Sequence, residues 1–462
     1  MNSLNKIFAL ILISMIGFGC NKKLDVKPQQ NITPEQITNG DDVKAVLFGA
    51  YSLLQGPNAF GEQFFLASDL LANTNHVSFA GTFIDYRDLT RKTQISTNAI
   101  ATGMWASSYS IINIANTVIE KANLVDEDER DAVVAEAKFI RGIVYFELVK
   151  YFGLPYSKGN VTSNLAVPLV TEPVYAYDAS KHNPIRATVD AVYKQVVSDL
   201  NAAVADLPDL GPNFRAGKYS ALAFLAKVYM NMLNYSGAAT AANQVIDGDF
   251  SLNFNFFSAF NNANNTNEDI FAIQQTSQSN SGTTNNGINT FYAAYTLQPP
   301  LISGRGDVQA SPNYPSIFQP TDARGDFFYN GANIAGVGGL YTGKWQQFYK
   351  AIPIIRLSDM FLIRGEANYR LAGAPIGGVS PLDDINTVRE RAGASTLLII
   401  TSADAFVDER FREFGFEGDR LWTLKRTKKA VGTLAYDDPK LVLPIPQREM
   451  DVNKNLIQNF PY

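Results

Sequence analysis

The 462-residue sequence contains a single cysteine, Cys20, and only two histidines, His76 and His182. One cysteine forms no disulfide within the chain, and with histidines this far apart it supplies no Cys/His metal site of ordinary spacing. The same scarcity argues against catalysis through Cys-His or Ser-His pairs. Charge is scarce as well. Charged residues make up 18% of the chain, and 39 Lys+Arg against 44 Asp+Glu leave a formal net charge of -5. With no long Lys/Arg run, the electrostatic footprint needed for nucleic-acid binding is missing. No stretch beyond the N-terminus approaches 18 uncharged apolar residues, so hydropathy predicts no later membrane-spanning helix. Hydrophobic residues, at 46%, are enough to bury a large core. The composition therefore argues against a Cys/His metal site and against thiol or Ser-His catalysis, and no metal or cofactor is expected.

The position of the cysteine is more informative than its scarcity. Lys6 is followed by an apolar run from Ile7 to Phe18, with Gly17 and Gly19 at the third and first positions before Cys20. The run is too short for a permanent bilayer span, and a small residue before the cut suits a signal peptidase. A lone cysteine at that cut points to a lipoprotein signal, with the thiol acylated and Cys20 the first mature residue. Ordinary secretion with an incidental cysteine is the alternative, and Gly17 stands where such signals usually carry Leu. Several acyl chains would hold the protein on a membrane surface, since one chain binds only marginally. Residues 1–19 thus read as a removed signal and residues 20–34 as a lipidated tether.

Helical periodicity follows in pairs. The clearest helix is predicted from Glu127 to Tyr151, with Asp126 as N-cap and Glu129 completing a capping box. Val133, Ala137, Ile140, Val144, Leu148 and Tyr151 form one stripe, while Phe139, Ile143 and Phe146 form a second. Two stripes predict a helix packed on both sides, as in stacked helical repeats. The stretch from Ser220 to Asp247 has the small-residue texture of a tetratricopeptide-type pair. Leu357–Ala372 with Leu382–Arg391, Asp42–Leu54 with Trp105–Ala122, and the Glu127 helix with Ala187–Ala205 are the other candidates, an irregular helical bundle being the alternative. The expected fold is mainly α, with about four tetratricopeptide-like helix pairs forming a scaffold that carries an irregular, loop-rich insert lobe.

Inserts at about 56–103, 153–186 and 249–356 interrupt the helices. A loop as long as the last is improbable inside a compact domain, so it is expected to be a lobe with its own core. Between residues 250 and 350 there are 18 aromatics in 101 residues, against 12% overall, and only 9 charged residues. Flat rings among Asn, Gln, Ser and Thr suit a neutral polyol. Sugar rings stack their C–H faces on aromatics, and their hydroxyls bond amides and carboxylates. Covering one such face contributes about 1 to 2 kcal/mol by area, so a few platforms give weak, reversible binding. The shorter insert adds Asp69, Asn73, Phe83, Asp85, Tyr86 and Arg87. Gly336, Gly338, Gly339 and Gly343 lack flanking Rossmann elements and do not signal a nucleotide site. The Arg-Gly-Asp tripeptides at 305–307 and 324–326 read as turn chemistry.

Several segments resemble the SusD/RagB family of outer-membrane nutrient-binding lipoproteins. They are Ile352–Asn368 (IPIIRLSDMFLIRGEAN), Ile385–Gly393 (INTVRERAG), Glu409–Arg426 (ERFREFGFEGDRLWTLKR) and Leu443–Tyr462 (LPIPQREMDVNKNLIQNFPY). Trp105–Asn123, Phe139–Tyr156 and the start after Cys20 agree with the family pattern. Thr423, Lys454 and Pro461 depart from it, standing where the family often has Asp, Pro and Gly. The resemblance implies one domain over 35–462, with the scaffold at about 41–55, 104–152, 187–248 and 357–426 and the insert lobe at about 249–356. It also implies a place on the outer membrane, facing the cell exterior, and a SusC-like TonB-dependent barrel as partner. Delivery of an oligosaccharide is expected, with binding and no catalysis. The family motifs fall on the scaffold, so Trp105, Trp345, Glu417, Arg420 and Trp422 are expected to be structural.

Ligand contacts are then expected from the inserts. Tyr86, Tyr292, Tyr295 and Tyr314 are the candidate platforms, Phe83 lies beside them, and Asp69, Asn73, Asp85 and Arg87 are hydrogen-bonding candidates. A peptide-binding member of the same family and a glycoside hydrolase are the alternatives, the latter because paired carboxylates are a spatial property that one sequence does not reveal.

Overall fold

The computed structural model describes residues 34–73, 76–211, 214–295 and 304–462. Cys20, the signal at 1–19 and the tether up to residue 33 lie outside the described residues.

Helix α1 (Gly40–Gln55) starts where the Asn39 side chain accepts the Asp42 N–H at 3.0 Å, and it buries Val43, Leu47, Ala50, Tyr51 and Leu54 at helical spacing. Two helices of the first insert follow, α2 (Gln63–Ala72) and α3 (Ile84–Arg91). Next come α4 (Ala99–Lys121), capped by Asn98, and α5 (Glu127–Phe152). Asp126 occupies the α5 N-cap position, but its side chain makes no capping hydrogen bond, so the expected capping box is absent. From Phe139 to Phe152 every residue of α5 is buried, as a helix enclosed on both sides requires. Helices α6 (Val189–Asp206), α7 (Lys218–Asn231) and α8 (Tyr235–Ile246) follow, then the short α9 (Ile288–Tyr292), α10 (Leu357–Leu371) and α11 (Pro381–Arg391). The chain closes with α12 (Asp404–Glu413), α13 (Arg420–Arg426) and α14 (Gln447–Val452).

Helix packing runs in series: α1 on α4, α4 on α5, α5 on α6, α6 on α7, α7 on α8, α8 on α10 and α10 on α11. The four predicted pairs are all present, and each also leans on the next. Buried polar bridges set the register. Arg141 on α5 forms a two-pronged pair with Asp199 on α6, at 2.6 and 2.8 Å, and reaches Asn116 on α4 at 2.9 Å. Close approach of α10 and α11 depends on Gly365, where an added Cβ would stand 2.9 Å from the Asp384 side chain and 2.8 Å from the Phe406 ring.

The inserts do not form a separate body. Strand β2 (Asp269–Ile273) pairs antiparallel with β6 (Ile352–Arg356), and Phe271 packs edge-on against Phe139 of α5 and Phe224 of α7. The main apolar core therefore runs continuously from scaffold into lobe; among the described residues Phe256, Ala259 and Phe260 form a small cluster apart within the lobe, and Leu362, Ile385, Val388, Phe406 and Phe414 form another on the scaffold. This corrects the expectation of a lobe with its own core. The aromatic excess is instead used to seal the lobe onto the helices. A second, four-stranded antiparallel sheet has the order β1 (Val77–Phe79), β3 (Val308–Ala310), β5 (Gly338–Thr342), β4 (Phe328–Ala332). Its β1–β3 pair, Val77 opposite Ala310, joins the first insert to the last.

Candidate functional site

The junction made by that sheet brings several of the predicted residues into one neighbourhood and buries others beneath it. Phe83 ends the loop before α3, and its half-buried ring lies 5.6 Å from the Phe291 ring and 6.4 Å from that of Tyr86. Over it sits Arg305, whose guanidinium is 5.0 Å from the ring centre. Arg305 Nε donates to Asp307 Oδ2 at 2.9 Å, and a second guanidinium nitrogen donates to Asn285 Oδ1 at 3.2 Å. A cation over an aromatic face, held by a carboxylate, presents a fixed flat surface rather than a mobile side chain.

The turn that places Arg305 there requires glycine. Gly306 has φ +63, and a Cβ on it would come within 3.0 Å of the Ala332 carbonyl oxygen. The same carbonyl accepts the Tyr295 N–H at 2.8 Å, which brings half-buried Tyr295 beside the turn. On the other flank, Ala80 N–H donates to the Asp307 carbonyl at 2.7 Å, and Arg87 donates to the Gly81 carbonyl at 3.2 Å. Ile334, at the β4–β5 turn, donates its N–H to the Arg305 carbonyl at 2.8 Å while its side chain stays exposed, as does that of Val337. Asp307 is buried, and Oδ1 has no hydrogen-bond partner among the described residues. Burial pushes its carboxyl above the ordinary range, against the pull of Arg305. The result is a surface of two half-buried rings, a guanidinium and exposed amides.

Four predicted residues are corrected. Tyr86, Tyr292, Tyr314 and Asp69 are buried, so none presents a face or an oxygen to a ligand. Tyr292 donates its hydroxyl to Asp69 Oδ2 at 2.6 Å, and Gly418 N–H reaches Asp69 Oδ1 at 3.2 Å. Tyr86 donates to the buried Glu62 carboxylate, which also accepts the Gly287 N–H at 2.5 Å. Tyr314 is walled in by Phe318, Phe328, Phe411 and Phe416 and donates to the Phe411 carbonyl at 2.5 Å. Asp69 belongs to an insert expected to interrupt the helices, but it lies on α2, every residue of which is buried. Burial raises Glu62 to about 8 and Asp69 to about 7, the hydrogen bonds from Tyr86, Gly287, Tyr292 and Gly418 opposing it.

The remaining residues divide. Asp85 is half-buried, with Oδ1 committed to the Ala99 N–H at 2.8 Å at the start of α4. Asn73 lies at the end of α2 near Gly432. Arg305, Asp307 and Asn285 were missed as site residues. The available signal was that Arg305 and Asp307 are among only nine charged residues in the lobe. Trp345 donates its indole N–H to the Phe416 carbonyl at 2.8 Å and, like Trp105 and Trp422, is buried. No group of three or more His, Cys, Asp or Glu residues among the described residues is arranged to hold a metal. No described helix is long and apolar enough to cross a membrane.

Comparison with known proteins adds kinship to this geometry. Residues 22–230 match the family described as starch-binding associating with outer membrane, and residues 340–440 match the SusD family. A SusD-like protein of Formosa agariphila, P2, is 24% identical, with 98% of each chain covered. The starch-binding protein SusD of Bacteroides thetaiotaomicron is 24% identical over 71% of this chain and 72% of its own. Among solved structures, a SusD superfamily protein of the same species superposes with a TM-score of 0.80 at 24% identity, covering 91% of this chain and 99% of the other. Its surface glycan-binding protein A gives a TM-score of 0.76 at 21% identity, covering 92% and 99%.

Proposed function

This chain belongs to the SusD/RagB family, and from that premise we propose that it is a lipoprotein anchored through Cys20 that binds a neutral oligosaccharide at the outer surface of the outer membrane. It hands the glycan to a SusC-like TonB-dependent barrel and catalyses nothing itself. Residues 1–19 are removed, 20–34 form the tether, and 35–462 act as one domain.

The observation that carries the site is the Phe83–Arg305 pair. A sugar ring laid along it would cover aromatic surface, while Asn285, Arg305 and the adjoining Tyr295 offer donors and acceptors to its hydroxyls. The starch-binding description of the family matched over 22–230, and the name of the Bacteroides relative, support the ligand class. Isothermal titration with neutral oligosaccharides tests the reading. Phe83→Ala and Arg305→Ala should each weaken binding about tenfold, the loss of one stacking face. Unchanged affinity in both variants would move the site elsewhere. No binding by the wild type, or sugar release on incubation with polysaccharide, would overturn the function.

A further inference from the structure

A hollow whose lining includes neither Phe83 nor Arg305 lies on the scaffold. It is a groove of about 560 Å³ between α4, the segment 168–184 and the C-terminal stretch 448–456. That volume is in the range of small-molecule sites. Its walls are tied by hydrogen bonds and do not depend on an occupant. Tyr109 on α4 donates to the Pro168 carbonyl at 2.7 Å, and Asn113 holds both the N–H and the carbonyl of Val174, at 2.7 and 3.1 Å. On the opposite side Asn453 donates to the Pro184 carbonyl at 2.8 Å, and Asn455 to the Asn183 carbonyl at 2.7 Å. The hollow is therefore preformed.

Its chemistry narrows the occupant. At the rim stands Tyr177, 59% exposed, with its hydroxyl on Asn183 Oδ1 at 3.1 Å and its ring 6.3 Å from that of His182. A large ring held open to solvent by a fixed hydroxyl contact is a ready stacking platform. His182 Nδ1 accepts the Asp178 N–H at 2.8 Å, which leaves Nε2 as the donor nitrogen of the ring. Arg448 and Glu449 line the same groove, and neither side chain has a hydrogen bond or ion pair among the described residues. One cation beside one anion sets up no net field for a charged ligand, but it supplies both donors and acceptors to a neutral one. An extended peptide would need a free row of backbone groups. The wall lacks it, since the Pro168, Val170 and Val174 carbonyls are already taken by Tyr109, Tyr145, Asn116 and Asn113.

We infer that this groove is a second saccharide site, separate from the Phe83–Arg305 face, in which a neutral sugar stacks on Tyr177 and is bonded by His182, Arg448 and Glu449. The inference rests on the glycan-binding reading for its ligand class but not for its position. A second contact would let one glycan chain, or two, be held by both insert and scaffold, raising residence without a tighter single site.

Titration of the full-length protein with malto-, xylo- and manno-oligosaccharides, in wild type, Tyr177→Ala, Arg448→Ala and Phe83→Ala, tests it. Wild type should show two classes of site. Tyr177→Ala, at an exposed position, should weaken one class about tenfold with the melting temperature unchanged, and Arg448→Ala should weaken the same class. Phe83→Ala should affect only the other. A single class, abolished by Phe83→Ala and indifferent to Tyr177→Ala and Arg448→Ala, would overturn the groove site and leave the proposed function standing. Failure of all three sugar series to bind would overturn both.

Discussion

Glu62 and Asp69 are each buried and each bonded to a tyrosine hydroxyl and a backbone N–H. For Glu62, raised to about 8, the sign of the pH effect follows directly. The folded state keeps the proton that the unfolded chain loses above about pH 4.5, so stability present at low pH is lost as pH rises towards 8. Each pH unit in that window weakens the fold by up to about 1.4 kcal/mol for a fully buried carboxyl. Glu62→Gln keeps an acceptor for Gly287 and a partner for Tyr86 while removing the titration. Thermal melts at about pH 5 and about pH 8 should therefore show the variant gaining on wild type as pH rises, and parallel curves would contradict this. The same residues explain why Tyr86 and Tyr292 do not act as platforms. A tyrosine among amides looks the same in a sequence whether its ring faces solvent or its hydroxyl anchors a buried acid.

At the scale of elements, the lobe is fastened to the helices by a buried ionic network. Arg356, at the end of β6, contacts Glu268 at 2.7 Å, Glu413 of α12 at 2.8 Å and Glu417 at 2.9 Å. Arg391 of α11 pairs with Glu268 and Glu413, Arg324 with Asp322, Glu409 and Glu413, and Lys344 with Glu417. Burial alone would raise the Glu413 carboxyl, but Arg391, Arg356 and Arg324 overcome it and hold the group well below the ordinary range. Removing Glu413 strips one carboxylate from three arginines that stay charged and buried, and breaking a buried pair in this way costs about 3 to 5 kcal/mol. Glu413→Ala should therefore lower the unfolding free energy by that amount in a denaturant titration. A loss under about 1 kcal/mol would mean that water or neighbouring acids compensate the three arginines. The family-like segments quoted from the sequence supply most of these charges, which is why the motifs fall on the junction and not on a ligand.

For the whole molecule, the proposed delivery to a barrel would depend on the lipid anchor proposed at Cys20. Cys20→Ser should leave the fold intact and shift the protein from the membrane pellet to the soluble fraction, and a variant that still pellets with outer membrane would contradict anchoring at this residue. The helical scaffold could be read from the sequence because amphipathic periodicity is a local property: α1, α5, α7, α8, α10 and α11 each repeat apolar residues at three and four. Helix α2 could not, since a helix buried on every side shows no polar face to break its pattern. Composition by itself also determined that the lobe is aromatic and poor in charge. Which rings face outward was decided only by the tertiary structure. Phe271 and Phe250 pack the lobe onto α5 and α7, while a glycine turn at 306 swings Arg305 over Phe83, and the 168–184 segment encloses a groove with α4 and the C-terminus. The physical reason is that a side chain's chemistry is fixed by its residue type, whereas its exposure depends on distant segments that meet only when the core closes.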